Sequence, residues 1–592
     1  MREEDLRKKL QRDGETIEIP ESLKPDRIQN RLEQSARKKK RTWVKVIAGA
    51  AALMLVVGSG LLLGQTKGKD SDSYGELYQT LQELTSQQNS LIDNRIMDKA
   101  SGGVPEKAAR TFSEDESAKE SFSDTNIQVE GVDEGDIVKT DGEYLYVLDR
   151  DYVSVSIVKA KAGKMKTCSV IPLDSQLTAQ ELYVEGDRLS VTGTHQTDKG
   201  GVETIIYTYD VKDRQKPERA GTVTQSGELH TSRMEGGYLY IFSNYYPDLP
   251  ESRNKTDQYV PLVNGEAIKM PEIIVPENPQ TPQYLVMTAI DLTKPDRASD
   301  RKSVLSSGDT FYVSQKHIYA ASDRSQDGKD TEIRKFSYKD GKIQYQTTGK
   351  VKGYFNDSFS MDEYKGNLRL VTTLNGASGS TYNNVYVLDE NMKVTGSILK
   401  LAKDERIYSA RFLQDRGYFV TYRQTDPLFS VDLSDPANPK ILGALKIPGF
   451  SEYLHFYGKD RLLGIGQAAD ENAVTSGVKL SMFDISDPSQ VKEESTVIIK
   501  DTFDAEVLSN HRAVMIDPEK NIFGFAASGR KGAGYYIYRY ENGFKQVFKE
   551  PVGNNCYDIR GLHIGDVFYL VQMNQIKSYQ LSDFKKIDLL NI

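Results

Sequence analysis

Hydrophobic and polar positions follow one recurring order from residue 126 to the end of the chain. A polar strand start leads into a turn holding Gly, Asp or Asn, and a strongly apolar or aromatic strand follows. "DIVKTDGEYLYVL", "ELYVEGDRLSVTG", "HTSRMEGGYLYIFS", "SFSMDEYKGNLRLVTT", "YSARFLQDRGYFVTY", "YLHFYGKDRLLGIG" and "YDIRGLHIGDVFYLV" are clear copies. "DTFYVSQKHIYAAS" and "HRAVMIDPEKNIFGF" are weaker ones. Turns of the D-G and G-D type are what hairpins demand, because positive φ suits Gly, Asn and Asp. A further signature follows an alternating strand in four places: "DVKDRQKPE", "DLTKPD", "DLSDPANPK" and "DISDPSQV". Asp beside Pro there builds a tight turn into another strand. One unit therefore reads strand, turn, strand, strand, Asp-Pro turn, strand. Four strands in roughly fifty residues is the mark of a propeller blade. The reading is an all-β propeller of eight four-stranded blades over 126–592, with seven or nine left open by the two weak copies. Closing such a ring makes the first and last repeats neighbours, which makes Cys168 and Cys556 candidates for a ring-closing disulfide.

The pattern changes completely before residue 126. Val46 to Gly64 carry no charge, about the length that crosses a hydrocarbon core. Arg37, Lys38, Lys39, Lys40, Arg41 and Lys45 precede that run, and Trp43 stands at its edge. The positive-inside rule then predicts a cytoplasmic segment 1–42, a transmembrane helix 43–64 and an extracellular remainder. A cleaved signal peptide would have a shorter basic region and a small-residue cleavage site, so the segment reads as a retained single-pass anchor. Residues 65–125 read as a helix and linker. Leu77, Leu81, Leu84 and Leu91 have helical, near-heptad spacing, suited to a short coiled coil or to packing on the domain that follows.

Composition refines this picture at two points. Tyr occurs 34 times against one Trp, which favours pleated surfaces. The net charge is −8, yet residues 1–45 hold 14 Lys and Arg against 9 Asp and Glu, a surplus of five that leaves −13 for the rest. An acidic body excludes a nucleic-acid-binding role, which needs a basic face. Two cysteines in such a length exclude a disulfide scaffold and a cysteine zinc cluster.

Several of these blocks resemble a bacterial and archaeal family of secreted C-terminal β-propellers, distantly related to WD-repeat proteins. The most specific is "ERIYSARFLQDRGYFVTYRQTDPLFSVDLSDPANPKILGALKIPGFSEYLHFYGKDRLLGIG", residues 405–466, with "TNIQVEGVDEGDIVKTDGEYLYVL" beside it. The resemblance covers about 124–592 and implies a membrane-tethered or secreted propeller. It implies nothing about a reaction, because a fold does not fix an activity.

Candidate chemistry then falls at the strand starts, which would face the central channel near one mouth. Collected there are Asp133, Glu134, Asp136, His230, Arg233, Asp362, Glu363, Arg411, His455 and Arg560. Converging on one axis, they would either compensate one another around a wet channel or hold a charged ligand. Calcium is a possible cofactor on such oxygens, although "DEGDIVKTDGE" lacks the spacing of a calcium loop. Residues 244–283 interrupt the third unit with seven of the twenty prolines, either as a passive loop or as a binding or covering element. No G-x-S-x-G, H-E-x-x-H, P-loop or C-x-x-C occurs, and the six histidines are scattered. The leading expectation is a cell-surface binding or scaffold module for a protein or envelope ligand. A hydrolase or lyase acting on envelope glycans or peptides through channel carboxylates comes second, and a transmembrane ligand sensor third.

Overall fold

Each hairpin copy becomes the inner pair of a sheet, four-stranded in six blades and enlarged by one or two short strands in the second, third and eighth. The structure, a computed structural model, describes residues 73–95, 122–123 and 125–592, apart from residues 150, 198–199, 324–329, 377–378, 423–425, 448, 470–474 and 573. The expected membrane segment 43–64 and the cytoplasmic segment 1–42 lie outside the described residues. Among the described residues no helix is long and apolar enough to cross a membrane.

Among the described residues nine sheets follow one another along the chain. They span residues 138–172, 177–226, 228–305, 310–352, 361–401, 406–447, 450–500, 502–553 and 560–591. The propeller thus has nine blades, which corrects the expectation of eight. Both weak copies are genuine inner hairpins, Thr310–Val313 with His317–Ser322 and Val514–Asp517 with Ile522–Gly529. The copy at 511–525 is weak in sequence because its inner strand is broken. Thr502–Asp504 pairs first, and the short 3-10 turns Glu506–Leu508 and His511–Ala513 intervene before Val514–Asp517.

The Asp-Pro signatures join third and fourth strands as expected. Asp432 ends a third strand, accepts the Ser434 amide at 3.0 Å and is ion-paired with Arg416 across the sheet. Arg188 with Asp210 repeats the arrangement in the second blade. The Asp therefore starts the turn and ties two strands, so its place in the repeat is set by local bonding.

Apolar faces of adjacent sheets bury one another. Every junction between successive blades has such a cluster, and one joins the ninth, first and second blades through Val158, Val191, Leu562 and Tyr569. The ring closes there. Asp588 on the last strand accepts the Met165 amide at 3.1 Å, and the Tyr569 hydroxyl accepts the Gly163 amide at 3.2 Å. Cys168 and Cys556 are nonetheless free thiols. Cys168 lies half-buried on the outermost strand of the first blade, whereas Cys556 is sealed in the apolar junction of the eighth and ninth. The candidate disulfide is not formed, because the two thiols belong to different apolar layers.

The proline-rich insertion of the third blade is not a bare loop. Its strand pair Leu262–Val263 and Glu266–Ala267 extends the outer edge of the second blade, and Ile273–Ile274 runs parallel to the outer strand of the third. On it lies the helix Ser73–Arg95, with Leu77, Tyr78, Leu81 and Leu84 buried against Tyr259, Val260 and Ile268.

Candidate functional site

"NIQVEGVDEGD" was expected to lead into the innermost strand; it crosses the channel instead. Phe122 bridges to Ile564, and the Ser123 amide donates to the His563 carbonyl at 2.9 Å, both on the ninth blade. Asn126 then donates to the Tyr453 hydroxyl at 2.8 Å and to the His511 carbonyl at 2.9 Å, on the seventh and eighth. Gln128 Nε2 donates to the Ser358 carbonyl at the entrance of the fifth, and the fourth blade's Gln315 donates to the Glu130 carbonyl, each at 3.0 Å. After a turn at Val129–Val132, Asp133 bridges to Met234 of the third blade and Asp136 to Leu182 of the second. Residues 122–130 therefore reach from the ninth blade to the fourth, opposite sides of a nine-membered ring. Eight extended steps span roughly 26–29 Å, enough only for a path across the axis. We call residues 122–137 the strap.

The strap carries acid into the centre, and the blades answer with arginine. Glu134 is 1 % exposed; its carboxylate lies 3.0 Å from His511 Nε2, 3.5 Å from Arg512 Nε and 3.8 Å from Arg233 Nη2, and accepts the Gln128 amide at 3.0 Å. Burial alone would raise its pKa, but Arg233, His511 and Arg512 together hold it well below the usual carboxylate range. His511 Nε2 must then be the donor to that carboxylate. Burial pushes its pKa down to about 4, reinforced by Arg512 and Arg233 and opposed by Glu134. Beside them Arg560 binds Asp136 at 2.9 Å and Glu506 at 3.1 Å, while Arg512 binds Glu181 at 3.0 Å. Asp133, nearer the surface, pairs with Lys139 at 2.7 Å. The backbone packs as tightly as the charges: a Cβ on Gly135 would meet Glu181 Cβ at 2.5 Å.

The ten expected residues therefore divide. Glu134, Asp136, Arg233 and Arg560 do converge on the axis, in a closed ion-pair network. Glu181, Glu506, His511 and Arg512 complete that network and were not expected. Three of the four sit on the broken inner strand of the eighth blade, where no alternation marks them. Glu181 could have been found, since it opens the clear copy "ELYVEGDRLSVTG". His230 packs on Phe311, with ring centroids 5.1 Å apart, and His455 is buried with Nδ1 3.0 Å from the Tyr453 hydroxyl. Among the described residues no three His, Cys, Asp or Glu side chains gather as a metal site. The central carboxylates face arginines, so calcium has no ligand set there.

Asp362, Glu363 and Arg411 lie elsewhere, around a pocket of about 340 Å³. Gln128 and Val129 of the strap form part of its wall, and the rest comes mainly from the fourth, fifth and sixth blades. Asp362 is ion-paired with Arg369. Glu363 lies 2.9 Å from His317 Nδ1 and accepts the Ser314 hydroxyl at 2.6 Å. Burial opposes the ionised form of Glu363, yet those two bonds keep its pKa below the ordinary value. Lys365 and Gly366 turn the inner hairpin at the rim with φ of 51° and 81°, the paired positive values of a tight hairpin turn.

Residues 122–584 match the family described as the beta propeller domain. The chain belongs to that family. Uncharacterized archaeal proteins are similar over most of its length. One from Archaeoglobus fulgidus is 29% identical over 565 residues, covering 80% of this chain and 85% of the relative. One from Methanocaldococcus jannaschii is 26% identical over 532 residues, covering 77% and 81%. Among solved structures, a eukaryotic initiation factor aligns at 11% identity and TM-score 0.37 over 74% of this chain and 90% of its own. A periplasmic gluconolactonase of Pseudomonas aeruginosa aligns at 9% and 0.34 over 52% and 91%. Likenesses of that size carry no argument about activity.

Proposed function

We propose that this propeller is a binding module held at the outer face of the cell membrane, with its ligand seated in the mouth pocket beside the strap. The observation that carries the reading is the division of the channel. Its centre is filled by a strap whose charges are already paired, and the pocket at the mouth remains concave, aromatic-walled and mounted on rigid strands. Pockets of this size and lining on a stiff scaffold suit recognition of a small ligand or of one group on a larger one. The anchor follows from the uncharged run Val46 to Gly64 behind its basic flank, and the secreted character from the resemblance of residues 405–466. The ligand is a component of the cell envelope, since an anchored propeller outside the membrane meets little else. A hydrolytic role is less favoured, because Asp133, Asp362 and Glu363, the carboxylates it would use, are each engaged by Lys139, Arg369 or His317.

The test is a photo-cross-linking residue placed at Lys316, exposed on the pocket rim, in the full chain in intact cells. The same residue at Lys531, on the eighth blade, is the control. Capture of one envelope component from Lys316 and not from Lys531 is the expected result. Equal capture from both positions, or from neither, would sink the reading.

A further inference from the structure

His511 holds the strap at two points, and one of its ring nitrogens has no partner. It sits on the short turn His511–Ala513 of the eighth blade and is 2 % exposed. Its carbonyl accepts Asn126 Nδ2 at 2.9 Å, and its Nε2 donates to Glu134 at 3.0 Å. Nδ1 is buried with no hydrogen-bond partner among the described residues. A proton placed there would make a buried N–H without an acceptor. The imidazolium would also face Arg512 of its own turn and Arg233 of the third blade, the two cations already gathered on Glu134. The next charges out are paired with one another. Arg512 binds Glu181 of the second blade, Arg560 of the ninth binds Asp136 and Glu506, and Lys139 of the first binds Asp133. Arg411 of the sixth blade lies over Phe359. None of these acids reaches Nδ1. The closed centre therefore suits only the neutral ring, whereas a ring released to water takes up a proton in mild acid.

The same contacts support one wall of the mouth pocket. Glu134 accepts the Gln128 amide at 3.0 Å, which closes residues 128–134 into a loop on that carboxylate. Gln128 and Val129 line the pocket, and Gln128 Nε2 donates to the Ser358 carbonyl at 3.0 Å. Phe359, the next residue, lines the pocket too and packs edge-on against the His511 ring, with centroids 5.9 Å apart. Breaking the bond between Glu134 and His511 thus removes support from strap and wall together.

We infer that the strap is an acid-released wall of the mouth pocket: proton uptake by His511 frees residues 126–134 from the centre, and the pocket lets go in acid what it holds at neutral pH. The regulation of the pocket rests on the binding role proposed above; the release of the strap does not. Linkage gives the sign. Burial pushes the His511 pKa down to about 4 in the closed fold, against 6.5 for an exposed ring, so closure is fully favoured above about 6.5 and weakens as pH falls toward 4. Glu134, held below the usual carboxylate range, stays ionised through that window, so the histidine acts first.

The experiment is amide hydrogen exchange of the full chain at pH 7, 6 and 5, corrected for the intrinsic chemical rate, beside His511→Gln. Residues 126–134 should open about tenfold or more readily at pH 5 than at pH 7, while Arg416–Tyr422 of the sixth blade keeps its slower exchange. His511→Gln, which cannot take up the proton, should show no such gain. Should the variant fail to fold, the profile of the unaltered protein decides: a gain beginning near pH 6.5 belongs to a histidine, and one confined below about pH 5 belongs to carboxylates and overturns the inference. Strap amides unchanged from pH 7 to pH 5, or a gain retained in His511→Gln, would overturn it too. So would strap and Arg416–Tyr422 exchanging at one common rate, since the ring would then be unfolding as a whole. Cross-linking from Lys316 at both pH values tests the pocket. Capture should fall at least about tenfold at pH 5 in the unaltered protein and hold in His511→Gln. Undiminished capture at pH 5 overturns the regulation. Capture at neither pH removes the binding role and the regulation with it, and leaves the exchange result to decide the strap.

Discussion

Arg560 joins two acids that come from far apart in the sequence, Asp136 on the strap and Glu506 on the eighth blade, and all three are buried. Removing the arginine strands two carboxylates without solvent, whereas removing one acid leaves the other pair intact. Arg560→Ala is therefore expected to destabilise the propeller by about 3–5 kcal/mol, and Asp136→Asn by less. Denaturant unfolding of the two variants checks the order; a smaller loss for Arg560→Ala would show that water already screens the centre. His511 makes the centre sensitive to acid. It is neutral in the fold with a pKa of about 4, against 6.5 when exposed, so between those values the unfolded chain binds a proton that the folded chain refuses. Stability must then fall as pH drops from about 6.5 toward 4. Below that, protonation of Glu134, whose folded pKa is depressed, removes more. His511→Gln keeps a donor toward Glu134 and removes the upper part of the slope. Unfolding midpoints at pH 7, 6 and 5 would show a flatter profile for His511→Gln, and parallel profiles would refute the assignment. Asp136, Glu134, Arg233 and Arg560 were legible as strand-start polar residues. Their mutual compensation was legible as well; the partners that complete it, such as His511, which stands 377 residues from Glu134, were not.

Two elements do more than the alternation of strands foretold. The acidic stretch from Glu130 to Asp136 has the sequence of a strand start because it precedes a strand directly; a turn at Gly131, with φ of 78°, instead redirects it within the channel. Nothing in its composition distinguishes the two outcomes, since a strand start and a channel crossing both place acidic residues toward the axis. The leucine spacing of the helix was legible, and so was the insertion in the third blade, but their union was not. Tyr74 donates to the Ile268 carbonyl at 3.0 Å, and Tyr78 stacks edge-on against Tyr259 with centroids 5.1 Å apart. The helix thus covers the insertion's apolar face, and each supplies what the other lacks for burial. Leu81 is fully buried at the centre of that contact. Leu81→Asp should release the helix and expose the insertion while the blades stay folded, because no inner strand depends on it. Limited proteolysis should then cut within residues 246–283 at least tenfold faster, on the order of the 1.4 kcal/mol per decade that governs local opening. Unchanged cutting would mean that the insertion holds its shape alone.

At the scale of the whole ring, number and closure were legible to different degrees. Repetition showed a propeller, and contact between its first and last units followed from that. The ninth blade was obscured because turns in the eighth blade break its inner strand at the place where Glu506 and His511 are delivered to the axis. That irregularity is tied to the strap, since Asn126 and Glu134 bond to what the broken strand presents. Closure of the ring then rests on the seam between the first and ninth blades, which lacks a covalent clasp and is held by packing and by hydrogen bonds such as Met165 to Asp588. Ile587 fills the space beside Gly163, where an added Cβ would come within 2.6 Å of its Cδ1. Around it lie Met165, Leu590 and Tyr569. Ile587→Asp places a charge at that apolar seam, a change expected to cost a few kcal/mol. The loss should be local, because every other junction keeps its own cluster. The strap also begins at the seam, through Phe122 on Ile564, so opening should loosen it as well. Hydrogen exchange should accordingly speed up in residues 138–172, 560–591 and the strap, with residues 361–447 on the far side unchanged. Uniformly faster exchange around the ring would mean that the nine blades open as one unit, with the seam as its weakest join.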